Sequence, residues 1–170
     1  MILKAYQVYF RKLAFEQLPA IAEKYLGEAG FRIVADALAE ATVAALPGLL
    51  EATKGLVNVP QGDHLKILEV HYSCHSAARQ ITGDNTIGLF KPVRVSEKRL
   101  ELVAEKCPFD AKGLQLAAFA GVVAGVLRAL GARAIVSHGP ESMRFLHSGE
   151  YLVYPEKNGN GGCKLVVEKA

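Results

Sequence analysis

Two histidines and a cysteine lie close together in the segment HYSCH, which spans residues 71–75. Imidazole nitrogen and thiolate sulfur are both common ligands of zinc. In a strand, His71 and His75 would share a face but lie roughly 13 Å apart, at about 3.3 Å per residue, which is too far for one metal ion. In a helix, their side chains would come within about 6 Å. The chemistry of this segment therefore depends on its secondary structure.

The residues around HYSCH alternate in a way that favours a strand. In HLKILEVHYS, residues 64–73, every second side chain would point to the same face of a sheet. We therefore predict a strand here and no metal site. A metal ion, if one is bound, would need ligands brought together from across the fold, and the candidates are Cys74, His75, Cys107 and His138.

Cys107, in the segment KCPFDAK, is the best candidate for a catalytic nucleophile. Lys106 and Lys112 would favour its thiolate if they lie near it, and so would the N-terminus of a following helix. No base lies beside it in the sequence, so a distant histidine would have to act as one. The alternative is a small apolar residue at the end of a helix. The sequence favours a protein that is not an enzyme, with a cysteine-nucleophile enzyme as the alternative.

Composition limits the classes of protein that this chain can belong to. Its 170 residues fit a single domain, residues 1–170, and 51% of them are hydrophobic. The net charge of +3 comes without a basic, aromatic-rich run, so we expect no nucleic-acid partner. Cys74, Cys107 and Cys163 are an odd number at wide spacing, which indicates a reducing compartment and no obligatory disulfide framework. Charges near the N-terminus interrupt any signal-peptide core, so we expect a cytoplasmic protein.

The order of predicted elements is that of an α+β fold. Helices come first, at residues 3–26 with a kink or break near Pro19, at 31–45 and at 49–54. After the strand at 64–73, we predict a short strand at 91–95 and a helix at 97–106 capped by Ser96. A long helix then runs from Asp110 to about residue 130, where Gly131 ends it. The final segments ARAIVSH, MRFLHS, EYLVYPE and CKLVVEK predict a mainly antiparallel sheet, with the last two joined by the glycine-rich turn NGNGG.

The helix at 110–130 is apolar nearly all round, and residues 113–127 carry no charge. This run is shorter than the roughly 18–20 residues that a membrane span requires, so we expect a helix packed on the sheet. Glycine and alanine along one side allow another backbone to approach closely. The opposite side could line a pocket for an apolar ligand, with polar groups supplied by Tyr72, His71 or His75. The apolar lining residues that we predict are Leu116, Phe119, Val123 and Leu127.

The segment AGVVAGVLRAL at 120–130, followed directly by the strand ARAIVSH, resembles a signature of a known superfamily. This superfamily contains vinyl-reductase-type hydrocarbon-binding domains and the Bet-type subunits of the TRAPP vesicle-tethering complex. The resemblance implies an α+β fold, a dimer built largely through helices, and a channel for a small apolar molecule. Members of the vinyl-reductase type often carry a glutamate and paired cysteines near their end. The stretch here has Glu141 without a cysteine, so no metal site is carried over.

From these observations we expect a sensor or carrier domain that binds a small hydrophobic molecule and forms a homodimer. The sequence identifies neither a cofactor nor the ligand itself. Besides the enzyme, a second alternative is a non-catalytic dimeric adaptor similar to the tethering subunits.

Overall fold

The structure, a computed structural model, describes residues 2–52, 62–83, 88–107, 115–157 and 161–170. It is an α+β fold in which helices precede a five-stranded, mostly antiparallel sheet, as the sequence predicts. The helices are α1 (Ile2–Lys12), a π-helical turn (Leu13–Gln17), α2 (Leu18–Leu26), α3 (Glu28–Ala52), α4 (His64–Thr82), α5 (Gln115–Ala129) and a 3-10 helix (Pro140–Phe145). The strands are β1 (Lys91–Ser96), β2 (Arg99–Ala104), β3 (Ala134–Val136), β4 (Tyr151–Lys157) and β5 (Cys163–Lys169).

The strands lie in the order β1-β2-β5-β4-β3. All neighbours are antiparallel except β3 and β4, which are parallel and joined through the 3-10 helix. Strands β4 and β5 form the hairpin that the sequence predicts, with Lys157 opposite Cys163. The turn residues 158–160 between them lie outside the described residues. The strands predicted in CKLVVEK, EYLVYPE and ARAIVSH are confirmed.

The two faces of the sheet differ in what covers them. The inner face carries a large apolar core beneath the helices, with Leu100, Leu165 and Val153 among its fully buried side chains. The outer face has a smaller apolar cluster around Tyr154, partly covered by residues from the 3-10 helix. Beside Tyr154, charged side chains of β2, β4 and β5 pair with one another across the strands. These side chains are Arg99, Glu101, Glu156, Lys164 and Glu168.

Helix α5 lies between the sheet and α3, and glycine allows it to come close to α3. A Cβ atom added at Gly121 would lie 2.9 Å from the Cα and carbonyl carbon of Ala35. One added at Gly125 would lie 3.0 Å from the Cα of Ala39 and 2.6 Å from the Cβ of Thr42. The strip of small residues that the sequence showed therefore contacts another helix of the same chain. No helix in the described ranges is both long and apolar enough to span a membrane.

The strand predicted at 64–73 is wrong, because these residues form the first half of α4. Two local signals fix this helix. The side chain of Asp63 accepts a hydrogen bond from the backbone N–H of Lys66 at 3.0 Å, and Gly83 ends the helix with a φ of 66°. Leu65, Leu68 and Tyr72 are buried at helical spacing, and this stripe packs toward the sheet.

The helix predicted at 97–106 is also wrong. Ser96 does accept a local hydrogen bond, from the backbone N–H of Lys98 at 3.2 Å, but this bond lies in the turn between β1 and β2. Serine makes the same short-range contact in turns and at helix starts, so it does not distinguish between the two. The strand predicted in MRFLHS is wrong as well, since its first half ends the 3-10 helix and its second half is neither helix nor strand.

The first helices keep their predicted order with altered boundaries. The break expected near Pro19 comes slightly earlier, at the π-helical turn, and Pro19 lies in the first turn of α2. Helix α3 continues through Pro47 to Ala52. The first residues of the separate helix predicted at 49–54 are therefore the last residues of α3. Residues 53 and 54 lie outside the described part of the chain, as do residues 110–114 of the predicted long helix.

The structure pairs Cys107 with Cys163 in a disulfide, which the sequence analysis did not expect. Cys107 follows β2 and Cys163 begins β5, and their Cα atoms are 5.3 Å apart, within the usual disulfide range. The bridge spans a sequence separation of 56 residues. In the chain-entropy account, a loop of this size stabilises the folded state by about 4 kcal/mol. Cys74, the free cysteine of the described residues, is exposed.

The close approach of α5 to α3 predicts opposite effects of the same substitution at two helical glycines. Gly121→Ala should destabilise the protein by about 1–3 kcal/mol, because the new methyl group meets the backbone of Ala35. At Gly48, in α3, nothing lies within 4 Å of an added Cβ, so Gly48→Ala should stabilise by about 0.5–1 kcal/mol. Urea unfolding of both variants measures the two effects. Equal effects would show that α3 and α5 are not in close contact.

Candidate ligand-binding site

Helices α4 and α5 lie on the same face of the sheet but scarcely approach each other. α4 packs against β1 and β2, whereas α5 packs against α3 and the opposite half of the sheet. The Nδ1 atom of His64, at the start of α4, lies 3.2 Å from the hydroxyl of Tyr151, the first residue of β4. Arg128, near the end of α5, donates a hydrogen bond to the carbonyl of Ala134, which pairs with Tyr151 in the sheet. The two helices therefore run in opposite directions. The second half of α4 faces the first half of α5.

A row of phenylalanines extends from α5 toward both sides. The ring of Phe119 in α5 stacks on Phe15, with centroids 4.6 Å apart, and meets Phe90 edge-on at 5.4 Å. Phe90 is buried directly before β1, whereas Phe15 and Phe119 are half-buried. Edge-on and offset-stacked rings are both favourable geometries for aromatic pairs. This row links α5 to the π-helical turn on one side and to the segment before β1 on the other.

The chain before β1 connects this aromatic row to α4. A Cβ atom at Gly88 would lie 2.9 Å from the Cα of Ser76 and from the carbonyl carbon of His75, so only glycine fits here. Gly88 also has a φ of 60°, which disfavours other residues. Its carbonyl accepts a hydrogen bond of 3.4 Å from Arg79. These contacts place Phe90 between the second half of α4 and Phe119.

Phe15 enters the site from the π-helical turn. This turn inserts one additional residue into the helical repeat and changes the direction in which the following side chains point. Such turns occur frequently at functional sites. The turn is continuous with α1 and α2 and packs against α5, which fixes its position. Sequence analysis placed a break in this region but did not select Phe15.

Three polar residues in the middle of α4 form a cluster. The rings of His71 and His75 lie 4.3 Å apart between centroids, one helical turn from each other. Tyr72 lies edge-on to both, at 5.3 Å from His71 and 5.8 Å from His75. Tyr72 is buried, His71 is half-buried and His75 is more exposed. The cluster thus runs from the core toward the surface.

Burial controls the ionisation of this cluster. It lowers the pKa of His71 from its ordinary value to about 4, with a smaller contribution from the neighbouring His75. Partial burial lowers the pKa of His75 in the same direction. The pKa of the Tyr72 phenol is raised by its burial. At neutral pH all three groups are therefore uncharged.

The predicted ligand-binding residues are divided by the structure. Phe119 belongs to the aromatic row of α5, whereas His71, Tyr72 and His75 form one cluster on α4. Leu116, Val123 and Leu127 are buried in the main core, and Val123 and Leu127 have no exposed surface. Sequence analysis missed Phe15 and Phe90, because only tertiary contacts bring them to Phe119. Gly88, two residues before Phe90, was the one available signal.

The other candidate residues do not come together. In the described ranges no group of three or more histidine, cysteine, aspartate or glutamate side chains is placed to hold a metal ion, so the candidate ligands Cys74, His75, Cys107 and His138 form no joint site. His138 instead lies against Phe31, with ring centroids 3.9 Å apart. Cys107 is bonded to Cys163. In that form it is not a thiolate nucleophile.

Comparison with known proteins adds little. No family model matches the chain, and no curated protein matches it. A crystal structure of the Fe(II) unliganded H-NOX protein from K. algicida is similar at a TM-score of 0.49 and 12% identity, over 81% of this chain and 63% of that one. A structure used in probing heme distortion in the H-NOX family gives 0.47 and 11%, over 88% of this chain and 66% of that one. The chain thus spans less than two thirds of either protein, and similarity this low carries no conclusion about function.

The lowered pKa of His71 predicts a loss of stability between about pH 7 and pH 5. The unfolded chain takes up a proton near pH 6.5, whereas folded His71 takes one up only near pH 4, so acidification in this window favours unfolding. We expect His71 to contribute about 2 kcal/mol of this loss. Urea unfolding of metal-free protein in EDTA at the two pH values measures it.

The variant His71→Gln tests whether this residue is responsible. It should show a smaller difference between pH 7 and pH 5 than the original protein, while His147→Gln, at an exposed position, should keep the full difference. An unchanged difference in His71→Gln would contradict the assignment.

Proposed function

We propose that this chain is a binding domain for a small, mainly apolar molecule, which it takes up between α4 and α5. The observation that supports this most directly is a row of phenylalanines that extends from α5 to the segment packed against α4, the helix that carries the uncharged polar groups. Phe15, Phe90 and Phe119 supply apolar surface, and the imidazoles of His71 and His75 supply hydrogen-bonding groups that carry no charge at neutral pH. Small-molecule sites typically combine a large apolar lining with a few polar groups.

The separation of α4 from α5 supports the same proposal. Helices that pack side by side usually have axes 8–10 Å apart, as ridges of one enter grooves of the other. Here α5 makes that kind of contact with α3 and not with α4. A flat or elongated apolar molecule inserted beside Phe119 would contact both helices. Binding would then be able to alter the position of α4 relative to the sheet, as a sensor requires.

The alternative of a cysteine-nucleophile enzyme receives less support. Its candidate Cys107 lies in the bridge to Cys163, and the exposed Cys74 is followed by His75, whose pKa is lowered. A neutral imidazole is a competent base, but both side chains would have to reach one reacting atom. We therefore propose a sensor or carrier of the hydrocarbon-binding type and not a catalyst.

Native mass spectrometry of the purified protein, before and after mild organic extraction, tests the proposal. We expect a copurified apolar compound that extraction removes. The extracted protein should then bind the neutral fluorescent probe N-phenyl-1-naphthylamine in a saturable manner, at one molecule per chain. Absence of both a copurified compound and saturable probe binding would overturn the proposal.

Two aromatic substitutions locate the bound probe. Phe119→Ala should weaken probe binding by about fivefold or more, because it removes the ring that connects Phe15 and Phe90. Phe145→Ala is the matched control, since Phe145 is 69% exposed on the 3-10 helix. Circular dichroism checks that both variants fold. Equal binding by the two variants would show that the probe lies elsewhere.

We also propose that the protein forms a homodimer through its first helices. Such a dimer would be equally consistent with the alternative function of a non-catalytic adaptor. Tyr9 is 60% exposed and Tyr25 71% exposed, and Tyr6 and Phe10 stack on the exposed surface of α1. An isolated helix as short as α1 is marginal in water, so packing must support it. A second copy of the chain presents the same apolar surface, which suits a two-fold interface.

A paired substitution on α1 tests the dimer. Tyr6→Glu with Phe10→Glu should convert a dimer to a monomer, measured by size-exclusion chromatography with light scattering, because it places charges in the apolar surface. Ile81→Glu is the control, since Ile81 is 85% exposed at the end of a different helix, α4. A monomeric original protein, or a dimer that survives the paired substitution, would contradict the proposal.

A further inference from the structure

We propose that His71 and His75 together bind one divalent transition-metal ion of the class that prefers imidazole ligands, such as Zn²⁺ or Cu²⁺. This inference does not depend on an apolar ligand, because it rests on the two side chains alone. It also reverses the expectation from the sequence, which excluded a chelate on the ground that the segment was a strand.

The geometry of α4 supplies the first argument. HYSCH has the HxxxH spacing, and in a helix this spacing places two imidazoles on one face, the arrangement by which helical zinc sites take their first two ligands. The ring centroids of His71 and His75 are 4.3 Å apart, and the ring planes are inclined by 53°. An ion bound by both rings would lie beside the pair, and rotation of the two side chains would be enough to direct one nitrogen of each ring toward it.

The availability of the ring nitrogens of His71 and His75 supplies the second argument. Neither imidazole makes a hydrogen bond with another residue in the described part of the chain, whereas the ring of His64 lies within hydrogen-bonding distance of the Tyr151 hydroxyl. In that part of the chain, every fully buried side-chain nitrogen or oxygen atom has a hydrogen-bond partner. Because the ring nitrogens of the half-buried His71 have no such partner, they are not fully buried. The ring nitrogens of both histidines thus remain able to bind an ion.

The number of protein ligands sets what kind of site this is. No third histidine, cysteine, aspartate or glutamate in the described ranges joins the pair, so the protein supplies two ligands. Structural zinc sites are closed by four protein ligands, and catalytic ones usually have three. The pair therefore forms an open site, whose remaining positions fall to water or to a small donor molecule. Its affinity should be modest and should depend on both rings.

Titration of the full chain, freed of metal by EDTA and carrying no histidine tag, tests the site. Isothermal titration with Zn²⁺ should show one ion per chain. His71→Gln and His75→Gln should each weaken binding by about tenfold or more. A spacing control keeps the number of histidines: His75→Ser with Ser76→His moves the second ring one residue on, away from the shared face, and should weaken binding to the same extent. Circular dichroism confirms that each variant retains its helices.

A second measurement identifies the ligands independently of affinity. Substoichiometric Cu²⁺ should broaden the ring signals of His71 and His75 in NMR spectra before those of the other three histidines, His64, His138 and His147. Equal broadening of all five rings, or Zn²⁺ binding that the spacing control leaves unchanged, would overturn the inference and indicate adventitious binding only.

Discussion

The fold depends on the contact between α3 and α5. This contact brings two helix backbones together at Gly121 and Gly125, where a Cβ atom would collide with backbone carbonyl groups of α3. Because α5 also covers β3, β4 and β5, its position against α3 sets how the helical part of the chain lies on the sheet. A helix that is apolar nearly all round is needed at such a place, since one side faces a helix and the other faces strands. The absence of charge in this segment is therefore a consequence of its central position.

Fixing α5 against α3 leaves α4 apart from the other helices. α4 is held by the sheet beneath it and by contacts at its two ends: Asp63 pairs with Arg94 at 3.6 Å near the start, and Arg79 reaches the carbonyl of Gly88 near the end. Gly88 lies against the backbone of α4 at His75 and Ser76, and the link onward to α5 runs through the rings of Phe90 and Phe119. The candidate site is thus a product of the architecture, because the helix that carries the polar cluster is not part of the α3–α5 pair.

The parts of the fold that sequence analysis predicted correctly are those with an unambiguous local pattern. The long apolar helix ending at Gly131 and the strands around the final hairpin are such segments, and the α+β class followed from them. The segment at 64–73 was predicted incorrectly, because its apolar residues fit an alternating pattern as well as a helical one. Asp63 and Gly83 were visible as helix boundaries and should have decided in favour of the helix.

The same error concealed the histidine pair. His71 and His75 were selected for their chemistry, but their distance was calculated for a strand, and the correct value follows only from the helix. Phe15 and Phe90 could not have been selected from sequence, since they lie far from Phe119 along the chain and meet it only through the packing of three separate elements. Residue type was therefore readable from sequence, whereas the grouping of residues required the tertiary structure.

The edges of the sheet limit how this chain can aggregate. Within the described residues, one edge strand is β1, which contains Pro92 and has a register irregularity between Arg94 and Ser96. The other is β3, which has only three residues. Proline, irregular register and short length all make an edge a poor template for a strand from another molecule. A change that replaced Pro92 or lengthened β3 would open the sheet to strand-by-strand polymerisation, even though it altered neither the core nor the site.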